Sequence, residues 1–305
     1  MSNQLEKLAQ ALQNKENLIS GGIGLALGVF GGIVFKTKFK TLFGKLGLLG
    51  KGNFGSINSA KAGARTQQEL KRGEHPYQLY SMGTPNGQKV TIFMEEAGLP
   101  YDAWLISIMK GDQFTSGFVE INPNSKIPAL VDYSQDKENG VRVFESGSIL
   151  LHLAEQTGKF IPQDPKLKTE CLNLLFFQMG AGPYIGQLGH FSKYAPKGIW
   201  FDHSYAYERY KLETQRICSV LDQLLEKRTY LVGEEYTIAD MAWYPWIKCI
   251  DYGYNLWQTL EMDSYKNINR WIKLLEQREA VQRGNKINQP WNGNNDHHSQ
   301  LQSKL

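Results

Sequence analysis

The spacing of apolar positions changes several times along the chain, and each change marks an element. Tyr77–Ser81 (YQLYS) alternates with β-favouring residues and predicts a strand. The turn Met82-Gly83-Thr84-Pro85-Asn86-Gly87 opens an amphipathic helix over QKVTIFMEEAG, with Val90, Phe93, Met94 and Ala97 at helical spacing. Thr84 ahead of Pro85 reads as an N-cap followed by proline at the first helical position. Tyr101–Ile108 (YDAWLISI) is a second strand. Two strands joined through one helix make a right-handed crossover with parallel strands.

After the polar loop KGDQFTSG, Asn122–Pro128 leads into a strand over Ala129–Tyr133, and a hairpin through Asp136–Gly140 returns as Val141–Phe144. Glu145-Ser146-Gly147-Ser148 then starts a helix over Ile149–Thr157. The order βαβ followed by ββα predicts a four-stranded mixed sheet flanked by helices. Pro128 pushes Ile127 to extended geometry, so the Ile127 backbone N–H and C=O are offered sideways. A cis Ile127–Pro128 bond would face them into the turn, which the residues alone leave open.

Beyond the proline-bearing linker Lys159–Lys168 the period is helical throughout. Thr169–Met179 predicts a helix running into a Gly- and Pro-rich bend, and Tyr205–Lys227 is long and amphipathic. Thr237-x-x-Asp240 has capping-box spacing and opens a helix with Met241, Trp243 and Trp246, a structural device. His190 and Tyr194 in GHFSKYAP fit either a pocket border or packing. The tail from Trp291, with NGNNDHHSQ, predicts disorder.

The N-terminal pattern is different. Leu18–Phe35 (LISGGIGLALGVFGGIVF) carries no charge, and in a helix it would rise about 27 Å, close to the thickness of a hydrocarbon core. Its six glycines weaken insertion, while the Gly24/Gly28 and Gly28/Gly32 spacings would let two such helices pack closely. Lys36, Lys38, Lys40 and Lys45 follow at once, which places the remainder in the cytoplasm if the segment spans a membrane. A Gly-rich arm or a helix buried against a partner would fit the same residues. Between about Gly50 and His75 the Gly-, Ser- and Gln-rich sequence reads as an extended arm. The expected organisation is a polar segment 1–17, a candidate membrane helix 18–35, a basic linker and arm 36–75, an α/β domain 76–158, a helical domain 159–290 and a tail 291–305.

Composition narrows the functions. A net charge of +4 over 305 residues does not indicate nucleic-acid binding by a basic surface. Three cysteines, Cys171, Cys218 and Cys249, make neither a disulfide framework nor a zinc site, and all lie in apolar helical contexts that predict inert buried thiols. No carboxylate or histidine cluster has metal-ligand spacing.

The stretches LYSMGTPNGQKVTI, YDAWLISI, GDQFTSGFVEINPNSKIPAL, VFESGSILLHLAE and GEEYTIADMA closely resemble the Nu-class, disulfide-bond-reductase-like glutathione transferases, over about Asn53 to Gln289. The resemblance implies a glutathione transferase fold: an α/β thioredoxin-like N-terminal domain and an all-α C-terminal domain. It also implies glutathione as co-substrate without a metal, a small-molecule or peptide disulfide as partner, and a homodimer. Carried over by motif, Thr84 and Asn86 would be the catalytic pair. Glutathione would be held by Asn58, Thr84, Pro85, Asn86, Gln113, Ile127, Glu145, Ser146, Gln178 and Arg209, with the Ile-Pro turn gripping its backbone and Glu-Ser its γ-glutamyl end. The family glutamine ahead of the G-A-x-P turn falls on Met179, with Gln178 one place earlier. A step of one residue turns a helical side chain by about 100°. The implied activity is glutathione-dependent disulfide-bond oxidoreduction, with weaker transferase or peroxidase activity. Conjugation of electrophiles and non-enzymatic glutathione binding are the alternatives.

Overall fold

The computed structural model describes residues 59–196 and 202–289. The expected polar segment, the candidate span 18–35, Asn58 and the tail 291–305 lie outside these residues. Among the described residues no helix is long and apolar enough to cross a membrane.

Four strands form a mixed sheet: β1 (Tyr77–Ser81), β2 (Tyr101–Leu105), β3 (Ala129–Asp132) and β4 (Val141–Phe144), in the order β2-β1-β3-β4. β1 and β2 are parallel, whereas β3 is antiparallel to both β1 and β4. Helix α1 (Pro85–Ala97) makes the crossover, α2 (Ser116–Ile121) follows β2, and α3 (Ser146–Thr157) follows β4. The described arm from residue 59 is pinned beside α2. Ser116 N–H donates to the Thr66 carbonyl at 2.9 Å and Gly117 N–H to that of Gln68 at 2.9 Å. These bonds satisfy amide groups that the first turn of a helix cannot pair internally.

The helical half comprises α4 (Pro165–Gly189), α5 (Ser204–Leu224), α6 (Ile238–Tyr252), α7 (Lys266–Glu276) and α8 (Glu279–Gly284). Its capping box forms as expected, with Thr237 and Asp240 bonded reciprocally. All three cysteines are buried and unbridged, and burial pushes the Cys218 and Cys249 thiols up to about 12.

Two local expectations are corrected. The bend after Met179 does not end the helix: α4 runs on through Gly180–Pro183 to Gly189. Small residues there admit the indole of Trp246 from α6, since a Cβ on Gly186 would lie 3.2 Å from it. Packing outweighs the local preference of Gly and Pro. Helix α1, in turn, is buried on almost every side. It packs on α3 as well as on α6 and α8, and Gly284 of α8 crosses so closely that a Cβ would stand 2.7 Å from the Ile92 backbone.

Candidate active site

Strand directions bring the sequence motifs together. Because β1 and β2 are parallel, Ser81 and Leu105 end at one edge of the sheet, leading to Thr84 and Gln113 respectively. β3 begins at that edge, with Ala129 opposite Tyr80, so Ile127 arrives there from outside. β4 finishes there, with Phe144 opposite Ala129, and delivers Glu145 and Ser146. Four segments spread over some sixty positions thus meet at one end of the sheet, the usual place for ligands in open α/β sheets.

Thr84 is the N-cap of α1, with Pro85 following in the first turn. Its Oγ1 accepts the Gly87 N–H at 3.3 Å, so the hydroxyl proton is left to donate elsewhere. Gly87 is required by the turn: a Cβ would stand 2.0 Å from the Met82 carbonyl oxygen. Asn86 is oriented from across the domain boundary. Its Oδ1 accepts the Trp246 indole N–H at 2.9 Å, which fixes the amide and leaves its NH2 to donate elsewhere. The Asn86 backbone N–H, in the first turn of α1, has no intrahelical acceptor.

Gln113 is 3% exposed; its Nε2 donates to the Ile108 carbonyl at 3.4 Å and its Oε1 has no partner among the described residues. An orphaned buried acceptor of this kind is uncommon. The Ile127–Pro128 bond is cis. The loop before it is braced by Asn122, whose Nδ2 donates to the Lys126 carbonyl at 2.6 Å, and Asn124 reaches the Glu145 carboxylate at 3.2 Å. Glu145 caps α3 with φ +68° and ψ 121°, a strained conformation for a residue with a side chain, and it makes no side-chain cap.

Gln178 and Met179 have different environments. Gln178 is buried, and its Oε1 accepts from the Lys89 ammonium. Met179 Sδ accepts the Ser146 hydroxyl at 3.9 Å, and its side chain lies against Gly147. Arg209 is exposed on α5, a helix packed mainly on α4 and α7. No hydrogen bond joins it to the Thr84, Gln113, Ile127 or Ser146 segments among the described residues. Tyr194 packs edge-on against Tyr254, and His190 lies edge-to-face on Phe191.

Three contributors were missed from sequence. Lys89 lies under Ser146, and its signal was its register: Asn86, Lys89, Val90 and Phe93 share the inward stripe of α1. Asn124 ties the proline turn to Glu145. Asn288, at the C-terminal end of the described chain, clasps the turn before Thr84 from outside. Its carbonyl accepts the Gly83 N–H at 2.7 Å, and its Nδ2 reaches the Ser81 and Trp104 carbonyls. A lone Asn after a helix carries no periodic signal.

Among the described residues, the hydroxyls of Tyr80 and Ser81 also lie near this end of β1, and both are buried. Tyr80 donates to the Lys71 carbonyl and burial pushes its phenol up, while the Ser81 hydroxyl is fully buried beside Gly87, without a hydrogen-bond partner among the described residues.

Comparisons with known proteins show the family. Residues 84–156 match the glutathione S-transferase N-terminal domain and residues 191–279 its C-terminal domain. The chain is 49% identical over 246 residues to the disulfide-bond oxidoreductase YghU of Escherichia coli, covering 78% of this chain and 83% of that protein. The crystal structure of glutathione transferase YghU from Streptococcus pneumoniae, complexed with glutathione, matches with TM-score 0.73 and 44% identity, covering 78% of this chain and 93% of that one. A glutathione transferase family member from Pseudomonas fluorescens with two glutathione bound matches with TM-score 0.67 and 40% identity, covering 70% and 93%. With both halves of the fold matched and the motif residues gathered at one sheet edge, the chain belongs to the glutathione S-transferase family, among its YghU-like members.

Proposed function

We propose that the protein is a glutathione-dependent disulfide-bond oxidoreductase. The carrying observation is Thr84, whose hydroxyl accepts from Gly87 and so keeps its own proton for a sulfur placed at the start of α1. Lowering a thiol from about 8.5 by two pH units needs roughly 2.7 kcal/mol of differential stabilisation. A helix N-terminus supplies about 0.3–1 kcal/mol and a charge-assisted hydrogen bond about 1.5–3 kcal/mol. Thr84, the Asn86 N–H and the Asn86 NH2 together reach that sum.

In this reading Ile127 pairs with the tripeptide backbone through its own N–H and C=O, and Gln113 offers its unpaired carbonyl oxygen to a ligand N–H. Glu145 and Ser146 hold the γ-glutamyl end, with Pro85 shaping the floor below the sulfur. Gln178 acts from beneath, through Lys89. The first glutathione thiolate attacks one sulfur of a substrate disulfide, forming a mixed disulfide and releasing a thiolate that takes up a proton. A second glutathione thiolate attacks the glutathione sulfur of that mixed disulfide, giving glutathione disulfide and the second substrate thiol. Arg209 and Asn58 are assigned to the second tripeptide, Arg209 through its planar guanidinium on a carboxylate. The related P. fluorescens protein with two glutathione bound supports this stoichiometry.

Glutathione should reduce a small dialkyl disulfide faster with the protein than without it, and titration calorimetry should give two glutathiones per subunit. Absence of protein-dependent disulfide reduction would overturn the proposal. One glutathione per subunit, with conjugation of electrophiles instead, would favour a conventional transferase.

A homodimer is part of the same proposal. Phe176 on α4 is 64% exposed, and Tyr205 and Leu212 on α5 are 81% and 64% exposed. Tyr205 and Leu212 lie on one face of α5. Large apolar side chains exposed on neighbouring helices fit a buried interface. Sedimentation should give twice the chain mass at micromolar concentration, and Leu212→Glu should shift the protein toward monomer. Membrane anchoring through residues 18–35 rests on the sequence alone and is no part of this proposal.

A further inference from the structure

Lys89 is 1% exposed, one of the largest fully buried side chains of the described chain. Its ammonium donates to Ser146 Oγ at 3.2 Å and to Gln178 Oε1, and no carboxylate lies within ion-pair distance among the described residues. Burial drives the Lys89 amine well below its ordinary value, and the charge of Glu145 pulls it back up. From α4 the neighbouring groups are the uncharged Gln178 and Met179. The arginines beside α8, Arg278 and Arg283, are paired with Glu96 and Glu95 toward the far end of α1. A buried lysine without an anion is costly, and a methionine or leucine of similar volume would serve packing better.

The bonds around it indicate what supplies the anion. Because Ser146 Oγ accepts from Lys89, its own proton must go elsewhere, and it goes to the Met179 thioether at 3.9 Å. A thioether is a weak acceptor that a carboxylate oxygen readily displaces. Ser146 and Gly147 open α3 with backbone N–H groups that have no intrahelical acceptor, no cap from Glu145 and no acidic residue in the first turn. Hydroxyl, amides and ammonium all present positive charge to the same spot. The exposed Glu145 carboxylate stands at its rim, held on one side by Asn124. Such a pair of opposite charges matches the free carboxylate and ammonium of an α-amino-acid head.

We propose that Lys89 is a specificity-determining positioning residue, acting through the Ser146 hydroxyl as the counter-charge that makes the site select the α-carboxylate of a γ-glutamyl head. This rests on the assignment of the Glu145–Ser146 turn to the glutamyl end of glutathione. A carboxylate bonded to Ser146 would lie within about 6 Å of the ammonium, close enough for strong coupling in a dry site.

A ligand-by-protein cycle tests it. Calorimetry on the full chain compares glutathione with glutathione amidated at the glutamyl α-carboxylate, in wild type and in Lys89→Met. Wild type should favour the acid by at least about tenfold, and Lys89→Met should reduce that preference to under about threefold while melting cooperatively. If Lys89 serves packing alone, acid and amide weaken in parallel and the ratio stays, which overturns the proposal. Should Lys89→Met fail to fold, Ser146→Ala must collapse the same ratio, and an unchanged ratio there is equally fatal. Wild type that binds neither ligand removes the glutathione assignment itself, whereas binding with an unchanged ratio removes only the role of Lys89.

Discussion

Thr84→Ala is expected to slow glutathione-dependent disulfide reduction at pH 7 by roughly 10- to 100-fold, the equivalent of a lost charge-assisted hydrogen bond of about 1.5–3 kcal/mol. The effect has a direction in pH. Without the hydroxyl the bound thiol returns toward about 8.5, so less of it is ionised at neutrality and the rate recovers as pH rises. Wild type and variant should therefore converge in alkali. Thr84→Ser keeps both the acceptor for Gly87 and the donated proton, and should stay within a few-fold of wild type. The variant also loses an N-cap, about 1 kcal/mol, too little to unfold a domain of this size. A pH–rate profile of Thr84→Ala that overlays wild type would show that the sulfur is held by something else.

The largest expected loss of stability is at Asp240. Its carboxylate, fully buried, accepts four bonds: Leu231 N–H at 2.9 Å, Trp271 Nε1–H at 2.9 Å, Thr237 N–H at 3.0 Å and the Thr237 hydroxyl at 3.2 Å. Burial pushes this carboxyl up to about 6, while the N–H groups of Leu231 and Thr237 pull it down. Asp240→Ala strands all four donors in a dry interior and breaks the capping box of α6. A loss of about 3–5 kcal/mol follows, seen as a melting midpoint lower by about 10 °C. Asp240→Asn keeps one acceptor oxygen but turns an NH2 toward other donors, so it should recover only part. Because Trp246 on α6 orients Asn86, activity should fall with this helix before the sheet melts.

Sequence pattern revealed the sheet well because period-two strands and their turn residues are local signals. Val141–Phe144 and Tyr77–Ser81 fall where the alternation places them, and the Thr-Pro cap and the Thr237–Asp240 box are written in adjacent residues. Errors arose where tertiary packing overrides a local preference. Gly180–Pro183 reads as a bend, yet Trp246 packing against the small residues of α4 accompanies an unbroken helix. Lys89 shares the register of Val90 and Phe93, but a register alone does not show that a second layer of helices closes over it. The candidate residues Thr84, Ile127, Glu145 and Ser146 could be collected from motifs, since those motifs lie next to strand ends. Gln178 against Met179 could not, because helix phase is set by packing.

The Asn288 clasp has a consequence for synthesis. The turn bearing Thr84 is complete only when a residue some two hundred positions later has come back to bond Gly83 and Ser81. As the polypeptide leaves the ribosome, the glutathione-holding half emerges first and waits, its turn unfastened, until nearly the last described residue is out of the tunnel. Chains that stop before that point would carry every motif and lack this one fastening of the turn, so the last part of the helical half is also the last to brace the Thr84 end of the sheet.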